Sequence, residues 1–190
     1  MMNLKSVLLL SGIILLAACS GNNENKFEQE DKNFYPIASF IKSELKLVDS
    51  LPLAVFKYTV INQKTDTQIV GKPEFRKIAE SFISPDITIE PLKKKYKETV
   101  FMDATINSVT ISYTTVDPNA EIRKIDVFIN PETDKVRNIY VEKISNQGDS
   151  SVTRKMIWTS GKFFQVSTLY SFKKQPEQTL QEKYAWDMNQ

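Results

Sequence analysis

Ser108-Val109-Thr110-Ile111-Ser112-Tyr113-Thr114 decides the fold. Apolar residues stand at Val109, Ile111 and Tyr113, and every residue between them is a serine or threonine. A strict period of two puts one set on each face of a β-strand, one dry and one wet. Downstream, Asp117-Pro118-Asn119 is a turn, with proline set for its second position. Ile125, Val127 and Ile129 then alternate with Lys124, Asp126 and Phe128. Pro131-Glu132-Thr133-Asp134 turns again, 136–144 is the next strand, and Asn146-Gln147-Gly148-Asp149 follows as a turn. Val152, Met156 and Trp158 mark another face. Ser160-Gly161 is a tight hairpin, and Phe164, Val166, Tyr170 and Phe172 form the last strand. Pro176 is expected to open a short final helix carrying Leu180 and Tyr184.

Upstream the period changes. Ile37, Phe40, Ile41, Leu45, Val48 and Leu51 recur at three- and four-residue spacings after Pro36, the pattern of an amphipathic helix of about 14 residues. Pro52 ends it. Residues 53–61 are rich in β-branched and aromatic types and predict a strand; 62–72 predict a polar turn. Pro73 opens a second helix with Phe75, Ile78, Ala79 and Phe82 on one stripe, and Ser84-Pro85-Asp86 stops it. The expected fold is α+β: N-terminal amphipathic helices packed on a curved antiparallel sheet of about five to six strands, with a short C-terminal helix. Connections this short join antiparallel neighbours, not parallel crossovers. The order of elements is similar to that of nuclear-transport-factor-2-like and cystatin-like folds. The segment from Asp126 to Val136 resembles the strand-turn-strand of PepSY-type periplasmic modules.

The start of the chain is of another kind. Lys5 precedes an apolar run from Val7 to Leu16, broken only by Ser11 and Gly12, and the run closes on Leu16-Ala17-Ala18-Cys19. Residues 20–24 then turn polar, so the run falls short of the roughly 20 residues a membrane span needs. Leu-Ala-Ala-Cys resembles the lipobox of bacterial lipoprotein precursors. That resemblance implies cleavage before Cys19, diacylglycerol on its sulfur and an acyl group on the new amino terminus. Each buried CH₂ contributes about 0.8 kcal/mol, and two or more chains hold stably where one holds only marginally. Ser20 in place of aspartate implies the outer membrane, on its periplasmic face or the cell surface. The expected organisation is a signal peptide over 1–18, a lipidated cysteine and tether over 19–33, and one α+β domain over 34–190. The tether is polar apart from Phe27, and a coil of that length spans roughly 20 Å.

Composition removes several chemistries. Histidine is absent and Cys19 is the only cysteine, so Ser-His-Asp and Cys-His catalysis, HExxH zinc binding and intramolecular disulfides are excluded. Formal charge is +2, and loss of Lys5 with the signal leaves +1, which gives no support to nucleic-acid binding. A hydrophobic content of 41% marks a chain able to build a core. No calcium-loop, phosphate-loop or nucleophile-elbow motif occurs, and no cofactor is expected beyond the lipid on Cys19.

Two groups of residues are candidates for function. Phe128, Tyr140, Trp158, Phe164 and Tyr170 would line a face that holds a small apolar ligand, or would simply pack the core. Lys93, Lys94, Lys95 and Lys97 would meet an anionic surface, or would form a solvated face with Leu92 and Tyr96 turned inward. Asp126 and Glu142 fall on neighbouring strands together with Lys124 and Lys143, and cross-strand ion pairing is the simpler reading. Trp186 is expected to pack at the domain edge. Taken together these point to a lipid-anchored envelope protein, non-enzymatic, binding a protein partner or a small apolar ligand. The alternatives are an envelope hydrolase or isomerase working with carboxylates, and a structural outer-membrane component.

Overall fold

The computed structural model describes residues 33–61 and 63–186. The expected signal peptide, Cys19 and all but the end of the tether lie outside the described residues. Asn33–Gln190 forms one compact unit. Its elements run α1 (Ile37–Ser50), β1 (Val55–Ile61), β2 (Lys64–Val70), α2 (Lys72–Ala79), then two 3₁₀ turns (Glu80–Phe82 and Lys93–Lys95). Seven strands follow: β3 (Tyr96–Asp103), β4 (Ser108–Thr115), β5 (Ile122–Asn130), β6 (Lys135–Gln147), β7 (Ser150–Thr159), β8 (Phe163–Phe172) and β9 (Gln175–Ala185).

All nine strands join one antiparallel sheet in the order β2-β1-β9-β8-β7-β6-β5-β4-β3. The expectation of five to six strands is corrected to nine, and no helix follows β8 among the described residues. Two segments account for most of the difference. Residues 64–70 form edge strand β2, whose first six residues are exposed, so no alternating pattern announces it. The stretch expected as the final helix is β9, inserted between β1 and β8. Leu180 and Tyr184 are four residues apart, a spacing that satisfies a helix and a strand equally. Pro176 sits where β8 and β9 slip register between Tyr170 and Phe172, and β1 pairs β9 only from Leu180 onward. A proline is tolerated there because few ladder hydrogen bonds are asked of it.

The helices cover one face of the sheet. Ile37, Ile41, Leu45 and Val48 of α1, with Phe75 and Ala79 of α2, are buried against the strands. The centre of this core is aromatic. Trp158 and Phe164 stack at 5.2 Å, Phe164 and Tyr184 at 4.7 Å, and Phe82 meets Trp158 edge-on at 5.4 Å. Trp186 lies 5.1 Å from Phe75 and 5.2 Å from Trp158, so it is a core member and not an edge residue. Glu44 ties α1 to the β7–β8 turn. Its carboxylate accepts from Gly161 N (2.7 Å), Ser160 Oγ (3.2 Å) and Trp158 Nε1 (3.3 Å). At the start of the domain, Tyr35 N donates to the buried Tyr113 hydroxyl at 2.8 Å, and the Phe34 ring lies 4.5 Å from that of Tyr113. The alternation in the 108–114 stretch is thus explained: Tyr113 is fully buried in the core, and its serine and threonine neighbours face the other way.

Candidate functional site

The face away from the helices is not uniformly polar. Register places three parallel rows of side chains across β4 to β7 on this open face. One row runs Thr110, Phe128, Asn138, Thr159; the next Ser112, Asp126, Tyr140, Ile157; the third Thr114, Lys124, Glu142, Lys155. Where these rows cross β5, β6 and β7, a cleft of about 510 Å³ opens. Phe128, Tyr140 and Ile157 supply its apolar wall, and Lys124, Asp126, Asn138 and Glu142 its polar rim. β5 and β6 slip register on both sides of this spot, between Ile122 and Lys124 and between Phe128 and Ile129. Bulges of this kind bend a strand and re-aim its side chains, which hollows an otherwise even face.

The polar groups of the cleft are held in place by their neighbours. Asp126 is only 6% exposed although it points away from the core. Its carboxylate accepts from Ser112 Oγ at 2.6 Å and pairs with Lys124 Nζ at 2.8 Å. The Tyr140 hydroxyl donates to Glu142 Oε2 at 2.9 Å. Burial, the bond to Glu142 and the nearby negative charges of Glu142 and Asp126 all push the Tyr140 hydroxyl well above the ordinary tyrosine pKa, so it stays protonated as a donor. Lys155 stands opposite Glu142 on β7, so two carboxylates meet two lysines and the rim is near neutral. The site therefore suits a ligand with an apolar body and a hydrogen-bonding polar group.

Of the five aromatics expected to line a ligand face, Phe128 and Tyr140 line this cleft. Trp158 and Phe164 are fully buried in the helix-covered core, and Tyr170 is half-buried on that same covered face. Those three are corrected to packing roles. Ile157, Asn138, Lys124, Asp126 and Glu142 complete the cleft. The signal that marks them is parity: each stands one residue out of step with the core positions of its own strand.

The four lysines do not act as one patch. Lys93–Lys95 occupy a 3₁₀ turn, and Lys97 projects from β3. Lys94 pairs loosely with Glu90 at 4.0 Å and Lys95 with Asp117 at 2.9 Å, and Lys93 lies 5.8 Å over the Phe34 ring. A second, polar cleft of about 260 Å³ lies at the other end of β6 and β7, lined by Glu121, Lys143, Ser145, Gln147, Val152 and Arg154. Lys143 is buried there. It donates to the Ser84 carbonyl and stands 3.6 Å from Glu121. Burial lowers its pKa, opposed by Glu121.

Among the described residues no group of three or more acidic or other metal-binding side chains converges. No described helix is long and apolar enough to cross a membrane. No protein-family model, curated protein or solved structure matches this chain.

Proposed function

We propose that the chain is a lipid-anchored protein of the bacterial envelope, held through Cys19, whose folded domain is a non-enzymatic binding module for a small amphipathic ligand. The cleft of Phe128, Tyr140 and Ile157 carries this reading: it is an apolar hollow on a sheet face that no described helix covers, with pre-oriented polar groups at its rim. Asp126 and Glu142 are each already engaged by a neighbour, so their part is to orient a ligand. Titration with a neutral naphthylamine dye tests the cleft. Saturable binding at one site is expected, weakened at least tenfold by Ile157→Lys in a protein that still melts cooperatively. Equal binding by wild type and Ile157→Lys would remove the cleft as the site.

Anchoring draws support from the fold as well as from the lipobox-like start. Lys93 lies over the ring of Phe34, the second residue of the described domain, and so stands near the point where the domain begins. Each lysine near an anionic membrane surface contributes about 1 kcal/mol. Cys19→Ala is expected to move the protein from the membrane to the soluble fraction with its melting temperature unchanged. Retention in the membrane would contradict the anchor.

A further inference from the structure

We propose that β3 is a self-association edge, on which β3 of a second copy of this chain pairs antiparallel about a twofold axis at Val100. The two edges of the sheet differ. β2 carries Lys64 and Asp66 among threonines and a glutamine, and its one exposed apolar residue, Ile69, stands singly near its end, a blunted edge. β3 has no proline, glycine or bulge, and no described strand lies beyond it. Val100, Phe101 and Met102 are 63%, 65% and 57% exposed, on both faces of the strand, and Ile106 in the following turn is 62% exposed. Three consecutive exposed apolar residues on a flat edge are what a sheet normally avoids unless the edge is used.

The backbone sets the pairing. Val116 N donates to Lys95 O at 2.9 Å, and Tyr96 lies opposite Thr115, so Lys95 and Val116 form a hydrogen-bonded pair. Main-chain bonding alternates along an antiparallel ladder. The groups of Lys97, Thr99, Phe101 and Asp103 therefore turn to β4, and those of Tyr96, Glu98, Val100 and Met102 turn outward. A second β3 must place outward groups against outward groups. With Val100 on Val100, Glu98 meets Met102 of the second copy, and each such pair exchanges two hydrogen bonds. The same register sets Lys97 of each copy against Asp103 of the other, on the open face, giving two ion pairs. Moving the axis to Thr99 sets Lys97 against Phe101, and moving it to Phe101 sets Asp103 against Thr99. Only the axis at Val100 matches the charges at both ends. β2 offers only Ile69 near one end, next to Gln68 and Val70, and charged or polar residues at its centre.

Sedimentation of the purified full chain in a mild nonionic detergent tests the pairing. Wild type should pass from monomer to dimer as concentration rises. Val100→Pro removes an outward N–H and no bond to β4, so it should abolish the dimer while leaving the melting temperature near wild type. Lys97→Glu and Asp103→Lys should each weaken self-association roughly tenfold by setting like charges opposite one another. An equal mixture of these two variants should recover wild-type association, because each then meets its opposite. A wild type that stays monomeric at every concentration, a dimer that survives Val100→Pro, or a mixture that associates no better than its parts would overturn the proposal. So would a monomer that binds phospholipid vesicles through Phe101, which would make this edge a lipid contact.

Discussion

Ile157 and Trp158 are adjacent in β7 and lie on opposite faces of one sheet. Trp158 sits at the centre of an aromatic cluster with Phe82, Phe164 and Trp186, and its indole N–H is bound by Glu44 of α1. Ile157 faces away from the helices, is 41% exposed, and forms a wall of the cleft with Phe128 and Tyr140. The same contrast separates Phe164 from Phe128. Aromatic content therefore says little about where a ligand sits; the parity of a residue along its strand decides. The covered face should govern stability and the open face binding, and substitutions on the two faces should give opposite pairs of readouts.

The largest expected effect is on the covered face. Phe164→Ala removes a fully buried ring that stacks on Trp158 and Tyr184, and should cost about 3–5 kcal/mol in urea unfolding. A loss below about 1 kcal/mol would mean that this ring is not part of a packed core. Glu44→Ala comes next. It deprives Gly161 N, Ser160 Oγ and Trp158 Nε1 of their acceptor and should cost about 1.5–3 kcal/mol, read as a lower denaturation midpoint. Glu44→Gln, which keeps an acceptor oxygen, should cost less than Glu44→Ala.

A third effect appears only in alkali. Burial first, then the carboxylates of Asp117 and Glu121, push the Tyr96 hydroxyl up to about 12 from the usual 10.0. Below pH 10 the hydroxyl is protonated in both folded and unfolded chains and gives no slope. Between 10 and 12 the unfolded chain releases the proton first, so stability falls as pH rises, by up to about 1.4 kcal/mol per pH unit. Tyr35, Tyr113, Tyr140 and Tyr184 are raised by burial too and steepen the fall. Tyr96→Phe should flatten part of this alkaline slope and cost about 1 kcal/mol at neutral pH through loss of the bond to the Ile122 carbonyl. An unchanged slope would contradict the buried hydroxyl. The smallest stability effect is expected on the open face: Phe128→Ala should shift unfolding by less than about 1 kcal/mol while weakening dye binding at least tenfold. A stability loss as large as that of Phe164→Ala would erase the distinction between the faces.

Much of this sheet was legible from residue order. β4 to β8 and their turns at Asp117, Pro131, Gly148 and Gly161 fall where alternation and turn chemistry put them, and α1 spans the expected stretch. Gly148 and Gly161 have φ of +58° and +69°, the conformation these hairpins demand. What escaped has a physical cause. β2 buries only Val70, so pairing to β1, not burial, makes it a strand. β9 is rich in helix formers, and its two strand neighbours override that propensity. Within the cleft, residue type alone marks Phe128 and Tyr140, but it marks Trp158, Phe164 and Tyr170 equally, because aromatic character carries no parity. Ile157 carries no signal of its own until the strand beside it is known.

Mapping amide chemical shifts of the folded domain during titration with the neutral dye tests the ligand cleft most directly. Shifts confined to β5, β6 and β7 around Phe128, Tyr140 and Ile157 are expected. Shifts centred on the β3 edge near Phe101, or spread through the helix-covered core, would contradict a binding site on the open face.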